Sequence, residues 1–301
     1  MRTLLLVATL VLGSQAAWAA ETAAFLDIGV GARALGMGGA YTALADDANA
    51  LYWNPAGLSR LEKREFTASH AEMFESTRHD FLAYAHPTSQ GTFAGGLTYL
   101  SQGKIDGRDS LGRQTAGYDA SDAALSLAYG RKLGVGDIGA TFKYLRSHIG
   151  STEAQGLAAD VGAKREFEGV GPGKLALGAA LRNLGPGLKF QDQRNDLPLR
   201  LAVGAGYRFA GGHAAAAELV NGPRGTGTDA SFGGEYQAMK NVYLRAGYTT
   251  QTTITGGSGF DAARGLTMGL GFRDGRWGLD YAILPSGELG RSHRFSLSAR
   301  W

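Results

Sequence analysis

The chain has no cysteine among its 301 residues. Disulfides and cysteine metal sites are therefore excluded, and folding needs no oxidising step. Beyond the N-terminal leader, no stretch reaches the roughly 18 uninterrupted apolar residues of a transmembrane helix. A secreted chain without such a helix enters a membrane only as a closed barrel, because open sheet edges find no partners in lipid. An excess of one charge is also missing. The net charge is +3, evenly spread, which argues against nucleic acid as a partner. His70, His79, His86, His148, His213 and His293 show no close-spaced ligand pattern. No Gly-x-Ser-x-Gly nucleophile elbow occurs. Neither an enzyme nor a metal or cofactor site is expected.

What the chain has in quantity is glycine, 47 of 301 residues, about twice the usual share. The glycines sit inside alternating apolar segments rather than in low-complexity tracts, which suits crowded lumens and bends. The N-terminus carries an address. Arg2 supplies a positive start, Leu4 to Gly13 an apolar stretch, and Ala17-Trp18-Ala19 a small-residue cleavage pattern. Residues 1–19 are expected to be a signal peptide, with the mature chain starting at Ala20. A retained membrane anchor is the alternative, disfavoured by the short run and the small residues that follow it.

The last nine residues point to the fold. Phe295, Leu297, Ala299 and Trp301 fall on one side of a strand, and Arg294, Ser296, Ser298 and Arg300 on the other. One oily face, one wet face and a terminal aromatic suit the closing strand of a membrane barrel. Thirteen further segments behave similarly. The expected strands are 64–73, 79–86, 91–100, 121–130, 136–146, 155–165, 174–183, 198–209, 212–220, 228–237, 240–250, 264–272, 275–284 and 292–301. In the eighth, Leu199, Leu201, Val203, Ala205, Tyr207 and Phe209 oppose Arg200, Ala202, Gly204, Gly206 and Arg208. The ninth is alanine-rich and weak. Links between strands alternate in length. Asp274-Gly275 is a two-residue hairpin signal, whereas Ser101–Ala120, Leu184–Leu197 and Gln251–Ala263 are long. Outer-membrane barrels combine short periplasmic turns with long outer loops. The expected fold is all-β: a transmembrane antiparallel barrel of fourteen strands over residues 63–301, with both termini periplasmic. A soluble β-sandwich would lack this alternation of links.

Residues 20–62 do not alternate. They are rich in small residues, with a helical stretch expected near Tyr41–Leu51 and a stop at Asn54-Pro55, since a residue before proline avoids helical angles. A compact apolar segment before the first strand suits a hatch within the lumen. Gly29-Val30-Gly31-Ala32-Arg33-Ala34 fits the loose dinucleotide pattern, but no strand precedes it, and glycines for turns and close packing are the better reading. Gly36, Gly38 and Gly39 belong to that set. Asp46-Asp47 could be a metal pair, yet adjacent carboxylates on a helix diverge, so capping or bonds to hatch backbone are preferred.

Two stretches, Gly31-Ala-Arg-Ala-Leu-Gly-Met-Gly-Gly-Ala-Tyr41 and Ala45-Asp-Asp-Ala-Asn-Ala-Leu-Tyr-Trp-Asn-Pro-Ala-Gly-Leu58, resemble the N-terminal motif of the PorV/PorQ family, relatives of the FadL fatty-acid channels. Leu266–Phe272, Leu279–Ala282 and His293–Leu297 resemble the same family. The resemblance implies a fourteen-stranded outer-membrane barrel with an N-terminal hatch. It carries a gating role to Asn54, Pro55 and Ala56, with Gly36, Gly38, Gly39, Asp46 and Asp47 as further hatch candidates. PorV itself implies a second role, holding exported proteins during type IX secretion and surface attachment.

By alternation, Lys143, Asp160, Arg182, Arg200, Glu235, Arg245, Asp280 and Arg300 face the lumen. Both signs occur, so mutual neutralisation is the simplest reading and a polar path beside the hatch the functional one. Two functions follow as expectations. One is FadL-like, plug-gated, passive passage of hydrophobic or amphipathic small molecules. The other is PorV-like docking of exported proteins. Expected partners are outer-membrane lipid and lipopolysaccharide, a hydrophobic small-molecule ligand, and an exported protein or secretion component.

Overall fold

The computed structural model describes residues 22–301 except 75–76, 109, 115–116, 191–192, 225–226, 252–264 and 286–289. The expected leader, 1–19, and most of the Gln251–Ala263 link lie outside the described residues. Among the described residues, sixteen strands follow the N-terminal segment: β1 (Glu65–Glu72), β2 (Arg78–Thr88), β3 (Gly91–Ile105), β4 (Tyr118–Leu133), β5 (Gly136–Ile149), β6 (Thr152–Val170), β7 (Gly173–Leu184), β8 (Leu188–Phe190), β9 (Gln193–Asn195), β10 (Arg200–Arg208), β11 (Ala214–Gly222), β12 (Gly227–Met239), β13 (Val242–Thr249), β14 (Leu266–Asp274), β15 (Trp277–Pro285) and β16 (Arg291–Arg300). Fourteen of them close into one antiparallel barrel in chain order, with β1 pairing β16 at the seam. The other two, β8 and β9, form a separate hairpin inside the β7–β10 connection.

Period-two alternation builds this wall, because successive side chains point to opposite faces of a strand. On β14, Leu266, Met268, Leu270 and Phe272 are exposed, while Thr267 and Gly271 are buried. On β5, Ile138, Phe142 and Tyr144 are exposed, while Asp137, Thr141, Lys143 and Leu145 are buried. The alanine-rich ninth segment pairs fully as β11, its Ala214 and Ala216 turned towards the filled lumen. Aromatic side chains ring the outer face at the end with the short turns. Tyr84 stacks on Trp301, Phe93 meets Tyr129, and Tyr207 meets Phe209. Tyr129 and Tyr207 each donate a 2.6 Å hydrogen bond to a turn carbonyl, of Gln90 and Val170. An apolar body with a satisfied polar tip is what an interfacial aromatic requires.

One connection is shorter than the alternation of links suggests. The link between the fifth and sixth strands is not long. Ile149 pairs with Thr152 across Gly150-Ser151, because β5 and β6 continue their ladder beyond the expected ends. The long Leu184–Leu197 link holds the β8–β9 hairpin, whose three-residue strands are too short to show periodicity.

The N-terminal segment fills the lumen. It contains 3₁₀ turns at Ala24–Asp27 and Pro55–Arg60 and single helical turns at Ala32–Gly36 and Ala50–Trp53. The helix expected near Tyr41–Leu51 does not form. The backbone N–H groups of Tyr41 and Thr42 point at the Glu218 carboxylate on β11, at 2.9 and 2.7 Å. Those are first-turn donors, which a helix leaves free; the carbonyls it would pair internally, of Thr42, Leu44 and Ala45, accept instead from Asn54, Arg208 and Lys164, and a helix this short is marginal even without such competition. The segment runs along the barrel. Thr22 N donates to the Asp196 carbonyl in the β7–β10 connection, at the loop end, whereas Arg64 pairs with Trp301 at the turn end. Thr22 and Trp301 therefore lie at opposite ends of the barrel. Two apolar clusters mark the path: Phe25 and Leu26 with Leu100, Leu145, Leu188 and Leu197 at the loop end, and Leu35, Leu51, Trp53 and Leu58 with wall alanines below.

One irregularity in the wall is chemically defined. Register shifts between Ala159 and Val161 on β6, opposite Asn183 of β7, which has φ +62°. Asparagine tolerates this left-handed region better than most residues. Asn183 N donates to Asp160 at 2.8 Å, and Lys143 Nζ lies 2.7 Å from Asp160 and 2.8 Å from Asn183 Oδ1. All three are buried. Lys143→Met strands a buried carboxylate, so the barrel should lose about 3–5 kcal/mol. Thermal unfolding in detergent followed by circular dichroism reads this, and a Lys143→Met/Asp160→Asn double variant should recover most of the loss.

Candidate functional site

The lumen is the site, and glycines in the wall shape it. A Cβ at Gly139 or Gly162 would overlap Pro55 or the Asn54 carboxamide. One at Gly233 or Gly247 would overlap Met37 or Gly38. At Gly178 it would lie 2.6 Å from the Thr42 carbonyl, and at Gly130 2.7 Å from that of Pro55. Backbone therefore meets backbone around the hatch, which only glycine allows. These wall glycines were not singled out from sequence. Their signal is glycine recurring in the inward phase of alternating strands.

Asn54 is fully buried and uses its whole side chain. Its Nδ2 donates to the carbonyls of Thr42, at 2.9 Å, and Ala163 on β6, at 3.2 Å, while Oδ1 accepts from Ala56 N at 3.1 Å. It thus caps the Pro55–Arg60 turn and ties two hatch segments to the wall. Pro55 and Ala56 sit over Gly130 and Gly139, buried. Gly36 packs against Gly269. Gly38 and Gly39 have φ of +68° and +79° and make the turn between the Ala32–Gly36 helix and Tyr41. Gly38 N donates to Thr267 Oγ1 at 3.0 Å.

Asp46 and Asp47 diverge to different tasks. Asp46 pairs with Arg33 at 2.5 Å and with Arg208 of β10 at 2.7 Å. Asp47 accepts from Asn49 N at 3.0 Å and from the Tyr41 hydroxyl at 2.8 Å. Arg33 is the hub. It also reaches Glu235 of β12 through two 3.1 Å bonds, and donates to Tyr41 at 2.7 Å. Burial would raise the Asp46 carboxyl, but the Arg33 and Arg208 guanidiniums overcome it and hold the group well below the usual carboxylate range. Burial pushes the Tyr41 phenol well above its ordinary value, so it stays a hydrogen-bond donor.

The inward charges expected from alternation come together as local pairs. Lys143 meets Asp160 at 2.7 Å. Glu235 holds Arg245 at 2.6 Å, and Arg245 holds Asp280 at 2.7 Å. Arg300 meets Glu65 at 3.1 Å. Arg200 pairs with Asp27 of the hatch. Arg182 lies over the rings of Tyr52 and Trp53, at 5.6 and 5.5 Å. Further wall-to-hatch ties were not foreseen: Glu218 with Tyr41 and Thr42, Lys164 with the Ala45 carbonyl at 2.7 Å, and Arg60 with Asp137 and Glu166. At the turn end, a gap between Arg33, Asp47, Glu65, Arg273 and Arg300 measures only about 10 Å³, the room of about one water. No group of three or more metal-binding side chains occurs among the described residues.

Residues 13–143 match the model of an uncharacterised protein family, UPF0164. No curated protein matches the chain by sequence. Solved structures do match by fold. The toluene transporter TbuX of Ralstonia pickettii aligns with a TM-score of 0.62 at 14% identity, over 91% of this chain and 98% of that one. CymD, described as a monoaromatic hydrocarbon channel, aligns with 0.60 at 12% identity, over 94% and 99%. A Pseudomonas aeruginosa FadL homologue aligns with 0.56 at 12% identity, over 90% and 98%. The chain therefore has the fold of FadL-like barrels.

Two outcomes test this account of the hatch. Gly139→Ala or Gly162→Ala should displace the hatch, since overpacking a filled site costs about 1–3 kcal/mol. Limited proteolysis should then cut faster within residues 22–61 at unchanged strand content. Gly134→Ala, with no neighbour within 4 Å, should behave as wild type. The second outcome concerns acid. Because the Asp46 pKa is depressed in the folded state, its stabilisation is fully present above the unfolded value of about 4 and is lost as pH falls through the lower folded one. Hatch proteolysis by an acid-active protease should accelerate below about pH 4, and Asp46→Asn should be fast at every pH.

Proposed function

We propose that this protein is an outer-membrane barrel that passes hydrophobic or amphipathic small molecules passively, with residues 22–61 as its gate. One observation carries the reading: a closed fourteen-stranded cylinder whose lumen is occupied by a separate segment rather than by its own side chains. A barrel of this width needs such a filling to be closed at rest. The outward belt of Leu, Phe and Met, edged by aromatics, supports immersion in a bilayer. The names of TbuX and CymD, a toluene transporter and a monoaromatic hydrocarbon channel, support small apolar cargo.

The two ends of the hatch are held by different forces. At the loop end Phe25 and Leu26 pack on Leu100, Leu145, Leu188 and Leu197. Apolar contacts are non-directional, so an apolar ligand can replace them one for one. Lower down, ion pairs and the Asn54 bonds fix the backbone. In this reading the ligand enters by displacing the β8–β9 hairpin, and passage requires the Asn54–Ala56 segment to release Ala163. The turn end faces the periplasm. The reading assigns transport, not catalysis. The docking role implied by the PorV resemblance gains no support from these similarities.

Liposomes test the proposal. Vesicles carrying the protein should take up labelled toluene or labelled fatty acid faster than protein-free vesicles. Asn54→Ala should raise that rate, and deletion of residues 22–61 should also leak small polar solutes. Equal uptake with and without the protein would end the transport reading.

A further inference from the structure

One inward charge in the lumen lacks a counter-charge. Arg294 of β16 is 7% exposed, yet its Nε and Nη1 meet no acceptor among the described residues. Other inward cations are provided for. Lys143, Arg33, Arg245, Arg300 and Arg200 each meet a carboxylate, and Arg182 lies over the Tyr52 and Trp53 rings. The carboxylates near Arg294 in the ladder are engaged elsewhere. Asp280, on the neighbouring strand, is held by Arg245 at 2.7 Å. Glu72 is exposed, and Asp80 is tied to His70 on the outer face.

The inward row through Arg294 reads Leu100, His79, Ala71, Arg294, Ala282 and Gly269 across β3, β2, β1, β16, β15 and β14. Ala71 stands between the arginine and His79 and reaches no further than its Cβ. His79 is 2% exposed, and its Nε2 also meets no partner among the described residues. Two buried nitrogen-bearing side chains thus flank one alanine, with no carboxylate between them. One inward position towards the turn end, Ser296 accepts the Ala32 N–H of the hatch at 2.8 Å. The row therefore lies where hatch meets wall. A guanidinium keeps its charge at any physiological pH, and a buried charge without a counter-charge is costly. A water molecule can accept the N–H bonds but offsets no charge. One guanidinium calls for one negative charge, and its burial calls for a small body.

We propose that Arg294 and His79 bind one small monovalent anion, of halide size, inside the lumen. Arg294 supplies the charge and two N–H donors, and the His79 imidazole supplies a third in the tautomer protonated at Nε2. The anion neutralises the wall where the hatch rests on it, so the closed lumen is more stable with the ion than without. The site is independent of transport: a barrel that passed nothing would still hold the ion.

Thermal unfolding of the detergent-solubilised full chain, followed by tryptophan fluorescence, tests this in sodium chloride against sodium gluconate at equal ionic strength. Gluconate is too bulky for the row. Chloride at about tenfold its dissociation constant should favour the folded state about tenfold, and raise the unfolding temperature by about 2–4 °C. Arg294→Gln should abolish this chloride effect and, in gluconate, unfold no lower than wild type, because it removes an uncompensated charge. A merely structural arginine predicts the reverse. Arg131→Gln, which removes an exposed charge on β4, should keep the full chloride effect. Crystals of the wild type soaked in sodium bromide should show an anomalous peak beside the Arg294 guanidinium, a readout that needs no variant to fold. Equal unfolding in chloride and gluconate, a full chloride effect in Arg294→Gln, or bromide on the outer surface alone, an adventitious ion only, would each overturn the proposal. Stabilisation by sodium laurate but not by chloride would also overturn it, by assigning the charge to the head of an amphiphile. Liposome uptake is read separately, so failure here leaves the transport reading standing.

Discussion

The barrel lumen must satisfy a segment that cannot satisfy itself. Residues 22–61 hold only single helical turns and 3₁₀ turns, so most of their backbone donors and acceptors have no ladder of their own. Buried groups of this kind cost free energy unless paired. The wall supplies the partners: Glu218 for Tyr41 and Thr42, Thr267 for Gly38, Lys164 for Ala45, and the Ala163 carbonyl for Asn54. Close approach is the second half of the same constraint. Those bonds form only because Gly139, Gly162, Gly178, Gly233 and Gly247 remove the Cβ atoms that would stand between wall and hatch. Glycine abundance, inward polar residues and hatch conformation are thus one solution, not three features.

Much of the fold was legible in the chain because each strand writes its own two faces. Leu266, Met268, Leu270 and Phe272 against Thr267, Gly269 and Gly271 need no tertiary knowledge to be read. The seam was legible for the same reason, in Phe295 and Leu297 against Arg294 and Ser296. What failed was conformation decided at a distance. The Tyr41–Leu51 stretch has helix-favouring composition, yet the carbonyls of Thr42, Leu44 and Ala45, which a helix would pair internally, are claimed by Asn54, Arg208 and Lys164. The Gly150-Ser151 turn was hidden because β5 and β6 continue with polar outward residues such as Arg146 and Glu153, which pair with each other at 2.7 Å.

The site divides similarly. Asn54, Pro55 and Ala56 stood out by motif, and the structure gives them contacts on β4, β5 and β6. Arg33 did not stand out, although it joins Asp46, Asp47, Glu235 and Tyr41. An arginine alone in a run of alanine and glycine is the trace it left. Inward charges were found by phase, but their pairing was not, because partners such as Lys143 and Asp160 sit on neighbouring strands whose register the sequence does not print.

The course of the hatch constrains how the molecule can be made. It enters beside Asp196 at one mouth of the cylinder and leaves at Arg64 beside Trp301 at the other, then passes straight into β1. Pulling that segment lengthwise through a finished ring would drag Arg33, Tyr41 and Trp53 past every tier of the wall. The strand that completes the ring against β1 is β16, the last one made. Until it zips into place the sheet is an open trough, and the hatch can be laid in from the side. Setting the filling down before the final ladder forms avoids that drag, with the seam as the door that shuts behind it.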